Sequence, residues 1–547
     1  MVYALILIGT ALDNLNSMSA LTMSPDIKEA FGTDTSTASW VLSGYGLTLG
    51  SFIMVTGKIS DVIGPHNLYI IGITIIWICA LICACIPHTS IIPLIVFRAI
   101  QGIGASSLLP STMSITANYF SGDDIKYLGP AIICMIVALT ATLGIGIVLG
   151  GAFSLTSIGY QSFFYFIFAY ALVVDIALLF FIIPINKTAE HAKMKLKNIN
   201  FVSSFLMIVG CLLVILGLTE GGEKWKSAKA IAPLVVGFFT IISSFLYENF
   251  YLKPYQIKHQ NMDKSSDWRL QVDILFPGEI LKIPNFPALL ITSGAYYAIL
   301  TMMVSVVVQY HTFIDHDSTI IVALKAFPSA VGLVFGAFVF RDSYYQKIGH
   351  RKMFILSGAI SLGSVIWLSR MSFEHKNSYW KYEMVSMFLF GYGCNMFFNM
   401  YMPTAISHTP LHLQGVVMGV FQTGSQLMLS VGNALIPSIV GNINPAITFD
   451  QKKALHTKFE TVLYVIIAIQ AVVFLIMIFM IRIPSETAAE NPTEAITEKV
   501  DSNNSADNTN NNLSIDIERQ PVNMGSDNST EGTCSVEKES ETVDGQK

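Results

Sequence analysis

The chain is poor in charge: Asp, Glu, Lys and Arg make up 13% of its 547 residues, about half the share usual in soluble domains. That shortage argues against an ordinary globular enzyme. Cysteine is too scattered for a disulfide framework. Cys79, Cys83 and Cys85 share one apolar run, Cys134, Cys211 and Cys394 occupy others, and Cys534 lies near the C-terminus. Cys79 and Cys83 fall on one helical face, where a metal could bind, but buried thiols ordinarily pack as small hydrophobes. No phosphate-binding loop occurs, so ATP-driven pumping has no support. No nucleophile–base pair points to catalysis, and no cofactor is expected. The formal net charge of -5 is unevenly divided: residues 483–547 hold 14 acidic and 4 basic residues, which leaves a modest basic excess elsewhere. A body so apolar is not a nucleic-acid binder. Met1 to Leu12 lacks the basic start and cleavage site of a secretory signal peptide. Because the first apolar run begins almost at Met1, any cytosolic segment before it is expected to be absent or to lie outside this sequence.

What the chain has in abundance is apolar length. Hydrophobic residues make up 52% and the mean hydropathy is +0.56. At about 20 residues per crossing, about fourteen runs between residues 3 and 482 read as membrane spans. The fold class is an all-α, multi-pass integral membrane protein in contact with the lipid bilayer. Residues 253–286 form a long polar connector, and residues 483–547, rich in Asn, Ser, Thr and Glu, read as a disordered acidic tail. Lys187, Lys193, Lys195 and Lys197 follow the sixth run, Lys253, Lys258, Lys264, Arg269 and Lys282 the eighth, and Arg341, Lys347, Arg351 and Lys352 the tenth. Basic loops favour the cytosolic side, so both termini are expected there. The tail sequons at Asn503, Asn512 and Asn528 would then escape glycosylation.

Two motifs carry a family likeness. The turn after the second run reads Gly57-Lys58-Ile59-Ser60-Asp61-Val62-Ile63-Gly64, and the fourth run contains Arg98-Ala99-Ile100-Gln101-Gly102-Ile103-Gly104. A buried arginine costs about 2.5–3.5 kcal/mol on insertion scales, so Arg98 should meet a polar interior unless it snorkels to the interface. Together these segments resemble the major facilitator superfamily, and Gly349-His350-Arg351-Lys352 resembles a second copy of the loop. The resemblance implies two six-helix bundles. Fourteen runs resemble the drug:proton antiporter branch, which adds two central helices. The implied division is 1–184 for the N-terminal bundle, 185–286 for the linker with two extra helices, 287–482 for the C-terminal bundle and 483–547 for the tail. Gly57, Asp61, Gly64, Gly349, Arg351 and Lys352 would form gating loops. A narrower likeness, carried by Trp40 to Ile53, Leu108-Leu109-Pro110 and Gln414-Gly415, is to fungal aminotriazole-resistance and boron-efflux permeases and to low-affinity ammonium transporters of yeasts. The fifth run departs from the antiporter signature, with Gly146, Gly150 and Gly151 present but Ile147 in place of proline. Both proton antiport and facilitated movement stay open.

Polar residues inside the runs suggest a solute or proton pathway through Asp13, Asn16, Arg98, Gln101, Asp175, Asn395, Asn399, Gln422 and Gln426. Asp13 and Asn16 share a helical face, as do Gln422 and Gln426. Each could instead be a helix–helix hydrogen bond, and Lys325 could snorkel. Trp40 and Tyr45 read as interfacial aromatics. His311, Asp315, His316 and Asp317 read as a solvated turn, and no metal is expected. Amides and hydroxyls suit ammonium or boric acid, so the expected function is secondary transport of such a small solute by alternating access, in a monomer. The plasma membrane is the expected location, with the vacuolar membrane second. The alternatives are a multidrug or toxicant:proton antiporter and a transporter-like nutrient sensor.

Overall fold

The computed structural model describes residues 2–33, 35–120, 127–181, 198–223, 225–259, 262, 267–339, 348–374, 377–407, 409, 414–441 and 447–481. The acidic tail, Lys187, Lys193, Lys195, Lys197, Lys264, Arg341 and Lys347 lie outside the described residues, as does the side chain of Asp61. No strand occurs among the described residues.

The first seven helices are α1 (Val2–Phe31), α2 (Thr35–Ile63), α3 (Pro65–Cys85), α4 (Ile92–Ala105), α5 (Leu108–Tyr119), α6 (Leu128–Ser154) and α7 (Gln161–Phe181). They surround one apolar core that includes Leu12, Tyr45, Tyr69, Leu94 and Phe163. Helix α1 bends by 60° between Val2–Ala20 and Thr22–Phe31. Pro25 explains the bend, because it has no N–H to donate to the carbonyl four residues earlier. The fourth apolar run, expected as one helix, breaks at Ser106–Ser107 into α4 and α5.

Helices α8 (Phe201–Glu223) and α9 (Ala228–Leu246) form a hairpin. A π-turn at Tyr247–Leu252, α10 (Lys253–Lys258) and α11 (Trp268–Gln271) follow it. The polar connector is folded back on this hairpin. The buried Glu248 carboxylate accepts the backbone N–H groups of Leu275 at 2.8 Å and Phe276 at 2.7 Å, while Lys253 pairs with Glu279.

The remaining helices are α12 (Phe286–Tyr310), α13 (Thr319–Ala326), α14 (Pro328–Val339), α15 (His350–Leu368), α16 (Met384–Ser407), α17 (Gln414–Val440) and α18 (Phe449–Phe479). Their core includes Tyr296, Met303, Phe390, Phe397 and Phe459. The expected tenth run is split at Phe327, before the proline that opens α14. The two bundles meet where α2 packs on α17 and where α6 packs on α13 and α14, and α8 lies against both α2 and α17. Among the described residues, eleven helices are long and apolar enough to cross a membrane, or twelve if bent α1 counts as one crossing. Of the fourteen spans expected, α16 and α17 are the two not among these. Asn395, Asn399, Gln422, Gln426 and Asn433 lower their hydropathy.

The loop echo has a backbone counterpart. Gly64 (φ 102°) and Gly349 (φ 85°) each stand immediately before a helix, α3 and α15, in a region that L side chains rarely adopt. Arg351 reaches the Ile478 carbonyl of α18 at 3.1 Å, and Lys352 is exposed.

Candidate functional site

A cavity of about 700 Å³ lies between the bundles, walled by α1, α2, α6, α8, α12, α16 and α17. It runs toward the bundle end that carries Lys28 near the close of α1, Thr312 beyond α12, and Gly441 beyond α17. Asp13 is the one acid and Lys28 the one base among its described lining residues. Amides and hydroxyls (Asn14, Ser17, Gln309, Gln422, Gln426, Ser430, Asn433) share the wall with Tyr45, Tyr297, Phe398 and Tyr401. The buried Gln309 Oε1 has no hydrogen-bond partner, which leaves an acceptor available to a solute.

Beneath Asp13, Tyr45 of the wall leads to a polar layer of Arg98, Asn16 and Gln101 that does not line the cavity. The Tyr45 hydroxyl donates to Asp13 Oδ1 at 2.7 Å. The Arg98 guanidinium sits 4.5 Å from the centroid of the Tyr45 ring and 5.8 Å from that of Phe164. Arg98 is fully buried. It donates to the Val41 carbonyl at 3.2 Å, Asn16 Oδ1 at 3.2 Å, the Asn16 carbonyl at 3.1 Å and Gln101 Oε1 at 2.8 Å. Gln101 in turn donates to the Ile76 carbonyl at 3.1 Å. Carbonyl and amide oxygens plus two aromatic faces therefore solvate this cation in place of water. It does not snorkel. Asn16, for its part, shares a helical face with Asp13 but serves Arg98.

The other expected site residues divide sharply. Asp13, Gln422 and Gln426 are on the cavity wall, whereas Asn16, Arg98, Gln101, Asp175, Asn395 and Asn399 are not. Asp175 is buried on the α3 side of α7, where its Oδ2 accepts from Thr74 at 2.8 Å and Trp77 Nε1 at 3.0 Å. Asn399 donates to Asn395 Oδ1 at 2.6 Å within α16. Sequence reasoning missed the aromatic wall and misplaced Tyr45, which is fully buried instead of interfacial. Its one usable signal was the spacing of Phe397 and Phe398 from Tyr401, i, i+4 and i, i+3, which core packing also produces. The glycines of the fifth run serve close packing: a Cβ added at Gly150 would meet Thr22 Oγ1 at 2.2 Å.

The turn read as solvated is also corrected. His311 is buried, with Nε2 2.7 Å from Glu383 Oε2 and Nδ1 2.6 Å from Asp315 Oδ2. Lys325 reaches back to the segment before α13, its Nζ 2.5 Å from Asp317 and 3.0 Å from His311 Nδ1.

The sequence profile described as Major Facilitator Superfamily matches residues 6–433 and, in a second match, 285–510. The chain belongs to the Major Facilitator Superfamily. Among characterised superfamily members, it is 22% identical over 248 residues to the aminotriazole resistance protein of Saccharomyces cerevisiae, covering 44% of each chain. It is 27% identical over 230 residues to the low affinity ammonium transporter of the same yeast, covering 40% of this chain and 43% of that one. The matches span about half or less of these relatives' lengths. A human organic anion transporter shares the fold, with a TM-score of 0.55 at 12% identity over 87% of this chain and 98% of that one. This member of the superfamily is thus a multi-pass integral membrane protein.

Proposed function

We propose that the protein moves organic solutes, neutral or cationic, by alternating access, and exchanges them for protons held at Asp13. The cavity carries this reading. Pockets of about 300–1,000 Å³ hold drug-sized ligands, whereas an ammonium ion needs little more than the ~30 Å³ share of one water. The 700 Å³ space, with Tyr297, Phe398 and Tyr401 facing a single carboxylate, suits an organic cation or a polar heterocycle. Resistance to aminotriazole in the yeast relative fits the same chemistry. The rocking of α2 and α6 against α17, α13 and α14 would expose Asp13 to either side in turn. We place a monomer of this transporter in the plasma membrane with its basic connectors in the cytosol.

The amide face supports a second reading. Gln422 and Gln426 lie together on α17 and offer donors and acceptors to ammonium or boric acid, as the relative named for ammonium suggests. Proteoliposomes with an imposed pH gradient separate the two. Gradient-driven flux of 3-amino-1,2,4-triazole or ethidium, with none of methylammonium or boric acid, supports organic solute exchange. Flux of methylammonium or boric acid alone overturns it.

A further inference from the structure

A charged cluster at the mouth of the cavity has no part in that reading. It joins four segments of the second bundle. His311 opens a π-turn, His311–Asp315, that continues α12. Asp317 precedes α13, Lys325 lies within α13, and Glu383 closes the π-turn that leads into α16. Thr312 and Phe313, on the same turn as His311, are on the cavity wall.

Hydrogen-bond inventory defines two protonation states. An ionised carboxylate is only an acceptor, and a neutral imidazole has one N–H. Both ring nitrogens of His311 face carboxylate oxygens, at 2.6 Å and 2.7 Å. A ring that donates to both carboxylates holds one proton more than a neutral ring with two carboxylates. The state without that proton also has its contacts in place. Lys325 Nζ, 3.0 Å from Nδ1, can donate to the bare nitrogen, while Asp315 turns to water through its 31% exposed side chain. The spacing of His311, Asp315 and Asp317 would suit a divalent cation, but the Lys325 ammonium fills that position.

We propose that His311, Asp315 and Glu383 form a second proton site, separate from Asp13, whose occupancy latches α12 to α16 at the cavity mouth. With the proton bound, the imidazolium bridges Glu383 and Asp315. On release, the proton passes from Nδ1 to water, Lys325 becomes the donor to Nδ1, and the Nε2–H bond to Glu383, the one tie to the segment before α16, loses the imidazolium charge that makes it strong. No other bond changes. The groups facing the site are Asp315 and Tyr310 on the α12 side, Asp317 and Lys325 on the α13 side, and Tyr379 and Glu383 before α16. From α18, His456 accepts or donates to Tyr310 at 3.2 Å, and Lys452 and Glu460 act at longer range, with Glu374 beside His456.

Hydrogen exchange on the full chain in nanodiscs tests this without knowing the solute. After correction for intrinsic rates, amides of 308–326 and 377–390 should exchange about tenfold slower near pH 5.5 than near pH 8. His311→Gln and Glu383→Gln should each remove that difference, and His456→Gln should keep it. Equal protection at both pH values in the unmodified protein overturns the latch, as does a difference that survives in both His311→Gln and Glu383→Gln.

Discussion

Tyr45 donates its hydroxyl to Asp13 Oδ1 at 2.7 Å while its ring lies against the Arg98 guanidinium. One side chain thus separates Asp13, the one acid among the described lining residues, from the buried cation beneath it. Direct pairing would cancel both charges. With the ring between them, Asp13 stays open to solute and proton.

Asp13→Asn should abolish uphill transport driven by a pH gradient and leave downhill counterflow measurable. Tyr45→Phe should fall between the two, since a hydrogen bond to a charged group contributes about 1.5–3 kcal/mol. Counterflow of 3-amino-1,2,4-triazole in proteoliposomes distinguishes the cases; full gradient-driven accumulation by Asp13→Asn would remove Asp13 from coupling.

Arg98→Ala should strand the oxygens of Asn16, Gln101 and Val41 that the guanidinium now satisfies. We expect a loss of a few kcal/mol, since each buried acceptor left unsatisfied costs about 1–3 kcal/mol, together with loss of flux. Arg98→Lys should recover little, because an ammonium cannot serve the same planar set of acceptors. Thermal unfolding in detergent, read beside flux, checks both. Normal flux in the alanine variant would reduce Arg98 to packing.

Gly64→Ala and Gly349→Ala should each cost about 1–3 kcal/mol, the usual cost of a strained backbone. The sites lie in different bundles, so the double variant should lose the sum to within about 0.5 kcal/mol. Unfolding midpoints of the four proteins test the equivalence of the two loops.

Gly150→Val should separate α6 from α1 and sharply lower the yield of folded protein, given the 2.2 Å approach to Thr22 Oγ1. Gly363→Ala, with nothing within 4 Å of the added carbon, should be neutral or slightly stabilising. Size-exclusion profiles of the purified variants would decide; matching monodisperse peaks would refute the packing role.

If the basic connector is cytosolic, Lys258→Cys should react with an impermeant maleimide only after cells are permeabilised, above the background of native cysteines. Labelling of intact cells would invert the orientation.

By itself, the sequence determined the membrane class, the superfamily and the twin turns at Gly64 and Gly349, because hydropathy and turn chemistry are local. It also singled out Asp13 and Arg98, since a charge within an apolar run needs an answer wherever the chain goes. It could not separate Asn16 from Asp13, because helical periodicity puts both on one face and only the neighbouring helices decide that Asn16 meets Arg98 and Asp13 meets Tyr45. The aromatic wall was hidden for a similar reason: Tyr297, Phe398 and Tyr401 have the spacing of core residues, and only the gap between two bundles makes them a surface. Tertiary structure alone could join His311 to Glu383 across 72 residues, because no local rule links a turn after one helix to the turn before another. Pairing there is set by how the helices pack, and burial then turns an apparently solvated turn into a shared proton.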